Sequence, residues 1–487
     1  MVSTRDHNAG LPGAPPPVLP TEPTSNATDS QDNGHGVPDG GKRYKAYTLG
    51  NFREIRQARE FLTEDQIFAI EVVARVLPFK TNSYVVDELI NWNDVPNDPI
   101  FVLNFPQRNM LEPHHFNEMA ELVRRNAPKA EIDALANRIR RTLNPHPAGQ
   151  MEHNVPILNG VKLTGMQHKY RETVLFFPSN GQTCHAYCTF CFRWPQFVGL
   201  DELKFAMREA ELLVEYVRAH PEVTDVLFTG GDPMIMRTKN LERYIRPLLE
   251  AKLPNLRTIR IGTKALGYWP YRFNTDEDAD AVLDLFREVT DAGIHLAIMA
   301  HFNHPRELST DAVKTAIRRI KATGAEIRTQ SPLMRNINDN AKVWSDMWRQ
   351  QVDLGCIPYY MFIARDTGAQ DYFSVPLVRA WNIFRDAYTS VSGICRTVRG
   401  PSMSADPGKV QVLGVTWIGD RRVLTLRMLQ ARDPNWAMRP FFAEYDESAI
   451  WLSDLRPAFG EKKFFWQDEL QEMYEADARK AELTKVD

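Results

Sequence analysis

Cysteine is scarce in this chain, with five residues in 487. So thin a supply excludes a disulfide scaffold and points to a reducing, cytoplasmic setting. An excess of positive charge is missing too. Lys and Arg number 59 against 62 Asp and Glu, a formal net charge of −3. With no basic tract, a nucleic-acid partner is not expected. No apolar run approaches the ~20 residues of a transmembrane helix, and the N-terminus lacks the apolar core of a signal peptide. No membrane association is expected. Residues 1–42 hold few large apolar side chains among many Pro, Gly, Ser and Asn. They are expected to be a disordered tail, because too little can be buried to offset the entropy of ordering. What remains suits a globular protein, at 43% hydrophobic and 25% charged residues over the whole chain.

From Tyr44 the composition changes. "LTEDQIFAIEVVARVLPF" has helical apolar spacing, with a start at Thr63 and Asp65. "PHHFNEMAELVRRNAPKAEIDALANRIRRTL" reads as two further amphipathic helices, and the Pro-containing "NPHPAGQMEHNVP" reads as a linker. After it, strand and helix patterns alternate. The strands are "TVLFF", "VTDVLFTGG", "LRTIRIGT", "IHLAIMAHF", "AEIRTQS" and "IPYYMFIA". Six strand–helix units spaced by about 30 residues predict an α/β fold with a parallel sheet. Six are too few for a complete eight-stranded barrel, so an open or partial (β/α)6 barrel is expected, with functional residues at the strand C-termini. The expected division is a tail at 1–42, a helical region and linker at 43–156, the partial barrel at 157–400 and a C-terminal region at 401–487. The last region contains a hairpin ("KVQVLGVTWIGDRRVLTLRML") and a charged helix.

Three of the five cysteines fall in "CHAYCTFC", after the first strand. Thiolate sulfur suits zinc or iron–sulfur clusters. A structural zinc takes four ligands, and Cys356 and Cys395 lie far away in the sequence. Three thiolates can instead hold three irons of a four-iron cluster and leave the fourth open to an exchangeable ligand. Buried free thiols, or a zinc completed by His185, are also compatible with the spacing alone. A second element, "TGGDPM", ends the second strand, where glycines let a ligand approach the backbone closely.

Together these stretches resemble the radical S-adenosylmethionine (SAM) signature. With "GMQHKYRETVLF", "MAHFNHPREL", "RTQSPLMRNIND", "PYYMFIARD" and "VSGICRTVRGPSMSADPGK", the resemblance narrows to the lysine 2,3-aminomutase family, over about residues 50–415. It implies an isomerase that migrates an amino group from C2 to C3 of an amino acid, using a [4Fe–4S] cluster, SAM and pyridoxal 5′-phosphate (PLP). It also implies an external one-electron reductant of the flavodoxin or ferredoxin type, and leaves a homo-oligomer open. Carried over by position, Cys184, Cys188 and Cys191 match the cluster ligands. Gly230, Gly231 and Asp232 match the SAM-amine element, and His301 and Gln330 match polar residues that contact SAM. Arg193 matches the arginine that clamps the substrate carboxylate. Lys169 stands where the family has an arginine near the PLP phosphate, and Lys409 falls on the PLP lysine.

Three departures bear on the substrate and metals. The family's glycine run before the PLP lysine is replaced by "SADPGK". The two aspartates that read the distal ammonium of lysine fall on Arg365 and Ser402. A buried cation there rejects an ammonium and favours a carboxylate, so an acidic or neutral amino acid is the expected substrate. A slip of one residue would place Asp366 in the pocket instead and restore a true lysine 2,3-aminomutase. A PLP-free enzyme, or one modifying a protein lysine, is a further alternative. No cysteine follows Cys395, so the C-terminal zinc of several family members is not expected.

Overall fold

The computed structural model describes residues 42–144, 154–198 and 205–483. Residues 1–41 of the expected tail and most of the expected linker lie outside them. One mixed sheet of eleven strands dominates, and its strands stand side by side in chain order. They are β1 (Met166–Tyr170), β2 (Thr173–Phe176), β3 (Asp225–Phe228), β4 (Thr258–Thr263), β5 (His295–His301), β6 (Glu326–Leu333), β7 (Ile357–Ile363), β8 (Arg399–Ser404), β9 (Gly408–Ile418), β10 (Arg421–Ala431) and β11 (Pro440–Glu444). Strands β2 to β8 run parallel to their neighbours. β1 at one edge and β9 to β11 at the other are antiparallel.

The six strands read from the sequence are β2 to β7. The sheet is larger than that reading. A seventh parallel strand, β8, arises from "RGPSMS", whose Gly and Pro read as a turn. Gly400 is what lets this segment lie against β7, because a Cβ there would stand 2.7 Å from the Met361 carbonyl oxygen. The expected hairpin forms as β9 and β10, and it continues the same sheet.

Helices cross between the parallel strands, as right-handed connections require. Thr238–Glu250 is typical, burying Leu241, Tyr244, Ile245 and Leu248 at helical spacing. Each such Leu or Ile contributes roughly 1.5–3 kcal/mol on burial. The N-terminal helices Glu64–Val73, Pro113–Arg124 and Lys129–Leu143 form a second core. The first of them starts at a capping box: Gln66 N donates to Thr63 Oγ1 (3.2 Å) and Thr63 N to Gln66 Oε1 (2.8 Å). This second core packs on Ala186 and Trp194 of the cysteine loop, and on Tyr268, Trp269, Ala364 and Ala369 just beyond the ends of β4 and β7. The N-terminal layer therefore covers the C-terminal ends of the parallel strands. At the other end of the chain, Trp451, Leu455, Phe464, Trp466 and Leu470 join the core of the sheet. Among the described residues, no helix is long and apolar enough to cross a membrane.

Candidate active site

The cysteine loop leaves β2 and is held from three sides. The N-terminal layer grips its backbone. Lys80 Nζ donates to Cys184 O (2.8 Å), Tyr44 OH and Asn82 Nδ2 donate to His185 O (2.8 and 3.1 Å), and Thr189 Oγ1 donates to Val102 O (2.7 Å). From below, Asp232 N donates to Gly181 O and Thr183 O (3.0 and 2.8 Å). Gly231 presses so close that a Cβ would fall 2.5 Å from Thr183 O. The third contact is aromatic: Phe190 stacks on His301 with centroids 5.9 Å apart.

Cys184, Cys188 and Cys191 are half-buried. Burial pushes the Cys188 thiol up to about 12 and the Cys191 thiol up to about 11. Cys184 is raised further, first by burial and then by Asp232 and the other two cysteines, so the three sulfurs lie within one another's field. Among the described residues, no three His, Cys, Asp or Glu side chains gather around a single ion position. A multi-iron cluster takes each thiolate on a different iron and makes no such demand. With three thiols on one clamped loop and a close glycine cradle beside it, the donor set fits such a cluster.

Asp232 is 2% exposed, and its carboxylate accepts from Met234 N (2.9 Å), Thr263 Oγ1 (2.7 Å) and Lys264 N (2.8 Å). It ties the end of β3 to the end of β4. What the "TGGDPM" stretch can offer a ligand is the backbone at Gly230 and Gly231. His301, at the end of β5, is pushed down to about 3 by burial and then by Lys264, so its ring is neutral. Gln330 on β6 is in register with His301.

Beside this loop lies a cavity of about 840 Å³. Arg193 and Phe192 reach it from the cysteine loop, Lys169 and Tyr170 from β1, Arg260 from β4, Lys409 from β9, and Arg365 and Asp366 from just beyond β7. Lys169 Nζ donates to Ala405 O (2.6 Å) in the turn between β8 and β9, so strands far apart in the sheet face each other here. Lys409 Nζ lies over the rings of Tyr360 (4.3 Å) and Tyr170 (5.8 Å). Its amine is lowered to about 7, by burial and then by Arg260, Arg399 and Arg365. Burial and Arg432 likewise hold Lys169 well below the usual range. An amine that gives up its proton far more readily than an ordinary lysine, in a roomy cavity with lysine and arginine nearby for a phosphate, fits PLP.

The cavity brings together Lys169, Arg193, Arg365 and Lys409 of the residues singled out in the sequence. His301, Gln330 and Gly230 are not on its wall. Ser402 is fully buried with its Oγ donating to Met361 O (3.4 Å), and Ser404 lines the cavity instead. Arg260, Phe192 and Asp406 were not singled out. Arg260 pairs with Asp225, Nε to Oδ1 at 2.9 Å. Asp406 takes hydrogen bonds from Arg432 (3.1 Å) and Tyr474 OH (2.5 Å). A signal for Arg260 existed. "TIRIGT" alternates, with the Ile side chains buried and the residues between them not, whereas a parallel strand covered on both faces is apolar throughout.

Comparison with known proteins then assigns the family. A protein of Aquifex aeolicus named "Putative L-lysine 2,3-aminomutase" is 30% identical over 404 residues, covering 83% of this chain and 94% of its own length. The chain belongs to the lysine 2,3-aminomutase family. The L-lysine 2,3-aminomutase of Escherichia coli is 27% identical over 245 residues, 50% of this chain and 67% of that protein. No family model matches. Among solved structures, a radical SAM methyltransferase from Sphaerobacter thermophilus is 18% identical and covers 57% of this chain and 91% of its own, with a TM-score of 0.36.

Proposed function

We propose that this chain is a radical SAM aminomutase that moves an amino group from C2 to C3 of an acidic or neutral amino acid. Its sheet serves as a partial barrel around the cavity. The observation that carries the substrate reading is the charge of that cavity. Arg193 is buried and Arg365 half-buried, and neither forms an ion pair among the described residues, although Asp366 lies within the field of Arg365. Buried charges are normally paired, so two unpaired guanidiniums suit a ligand bringing two carboxylates. Of the two acids on the wall, Asp406 is already taken by Arg432 and Tyr474.

In this reading Cys184, Cys188 and Cys191 hold the [4Fe–4S] cluster. The backbone at Gly230 and Gly231, with His301 and Gln330, meets SAM. When bound, the cluster and SAM supply a 5′-deoxyadenosyl radical, and PLP supplies a carrier for the migrating amino group. Lys409 presents an amine that readily gives up its proton for PLP attachment, and a phosphate beside Lys169 would favour that lysine's charged form and receive a point charge from it. Arg193 clamps the substrate's α-carboxylate, and Arg365 takes the distal one. Ser404, with Ser402 behind it, lends this end of the cavity hydroxyl donors. The N-terminal layer and the C-terminal tryptophans exclude water from the reacting atoms. The enzyme works in the cytoplasm and takes electrons from an external donor of the flavodoxin or ferredoxin type.

The test is anaerobic reconstitution with iron, sulfide, SAM, PLP and dithionite, followed by a panel of amino acids and mass spectrometry of the products. Acidic or neutral amino acids should yield β-amino isomers faster than lysine does. Rapid conversion of lysine to β-lysine would overturn the substrate reading and assign recognition to Asp366, which also lines the cavity.

A further inference from the structure

Tyr268 lies just past β4 and is 1% exposed. Its hydroxyl oxygen stands 3.5 Å from Cys188 Sγ. With a protonated thiol, Cys188 Sγ donates to the phenol oxygen. A thiolate bound to iron carries no proton and can only accept, so there the phenol O–H is the donor. The amide Nδ2 of Asn104 donates to the helix carbonyl of Ile100 (2.9 Å), which fixes the amide's orientation, and its second N–H meets the Tyr268 oxygen at 3.4 Å. The phenol oxygen thus accepts from Asn104 and keeps its own hydrogen free to turn toward the thiolate. Among the described residues, this is the one side-chain donor to a sulfur of the cysteine loop.

The tyrosine is fixed at both ends. Asn82 Nδ2 donates to Tyr268 O (2.9 Å) and to His185 O (3.1 Å), so one amide ties the phenol's backbone to the cysteine loop. The ammonium of Lys264 sits 4.2 Å from the centre of the Tyr268 ring. Lys264 is itself held by Glu307 and by His301 O (3.2 Å). Glu307 is fully buried and also accepts from Asn303 N (2.5 Å) and His304 N (3.0 Å). A cation on the ring face draws electron density from the phenol and strengthens its O–H as a donor. None of these groups has a task in the substrate cavity.

We propose that Tyr268 donates a hydrogen bond to the Cys188 thiolate of the iron–sulfur cluster and, braced by Asn104 and the Lys264–Glu307 pair, sets the cluster's reduction potential. The inference rests on the cluster reading above. A donor to a ligand sulfur stabilises the reduced, more negative cluster and raises its potential. Tyr268 is then a positioning residue for electron entry: it eases the one-electron reduction by the external donor and touches neither SAM nor substrate.

The experiment compares the reconstituted protein, Tyr268→Phe, and protein carrying 3,5-difluorotyrosine at position 268. Iron and sulfide content is measured first, then the midpoint potential by redox titration followed by electron paramagnetic resonance. The expected result is equal cluster content, a lower midpoint in Tyr268→Phe and a higher one with the more acidic difluorotyrosine. Equal midpoints in all three would overturn the inference while leaving the cluster reading intact. If Tyr268→Phe fails to hold a cluster, the difluorotyrosine protein, which keeps ring and hydroxyl, decides by its midpoint alone. If the unaltered protein assembles no cluster, the cluster reading falls and the inference with it.

Discussion

Arg193 and Arg365 lie over the same aromatic ring. Their guanidinium carbons stand 5.0 and 4.7 Å from the centre of Phe192. Each lowers the cost of burial through the ring, but they also repel each other. Arg193 is pushed down to about 9, first by burial and then by Arg365. A dicarboxylic substrate would relieve both effects. Arg365→Gln should therefore cut kcat/KM for an acidic amino acid by about two to nearly four powers of ten, the loss expected when a charge partner worth ~3–5 kcal/mol is removed. Arg365→Asp should shift preference toward lysine, though modestly, because the second aspartate of the lysine enzymes is still absent. The measurement is steady-state competition between the two substrates.

Cluster assembly should separate the five cysteines into two groups. Cys184→Ala, Cys188→Ala or Cys191→Ala should each abolish the four-iron spectrum and reductive SAM cleavage. Cys356→Ala and Cys395→Ala should leave both intact, since these thiols are buried in the hydrophobic core of the sheet. A need for Cys356 in the cluster would refute the three-ligand reading.

Lys409 should react with PLP at unusually low pH. Its amine is lowered to about 7, whereas an unperturbed lysine titrates near ~10.4. Borohydride trapping followed by peptide mapping should find the pyridoxyl group on Lys409, with a yield that rises through about pH 7. Stability follows with a defined sign. Between about pH 7 and the ordinary lysine value the unfolded chain keeps this proton and the folded chain does not. PLP-free protein should therefore grow more stable as pH rises through that window. An adduct confined to other lysines would exclude Lys409.

Gly231→Ala tests the cradle under the cysteine loop. The new methyl would meet Thr183 O and N at 2.5 and 2.6 Å, and that oxygen is itself held by Asp232 N. Overpacking of this kind costs typically ~1–3 kcal/mol. The variant should lose iron content along with a lowered melting temperature. The control is Gly293→Ala, where no atom lies within 4 Å of the added methyl but the backbone φ is +78°. It should lose some stability through strain alone and keep its iron.

The parallel half of the sheet was legible because β2 to β7 carry short apolar runs, continuous in some and alternating in β4 and β6, separated by amphipathic helices. β8 was not, because "RGPSMS" has turn composition, and only its packing on Met361 makes it a strand. The cysteine motif was legible from spacing. The partners that hold it were not, since Asn82, Asn104 and Lys80 lie ~80–100 residues upstream in segments whose local pattern says only helix or loop. Lys169, Arg193, Arg365 and Lys409 were located by position and share one cavity. Ser402 and Ser404 share a face of β8 by its two-residue period, but only Ser404, at the end of the strand, reaches the cavity wall, while Ser402 is buried against Met361.

The cavity wall runs from Asn144 to Leu470, while the clamp on the cysteine loop is drawn from the chain's first third together with β3 to β5. During synthesis these two parts become complete at different times. The loop, its N-terminal grip and the Lys264–Glu307 brace have all emerged once residue 307 clears the ribosome. The cavity must wait for Trp451, Trp466 and Leu470, some 160 residues later. If the proposed cluster and PLP are bound, the cluster's loop would be complete before the cavity closes, and a chain cut short in the last strands would keep the first site and lack the second.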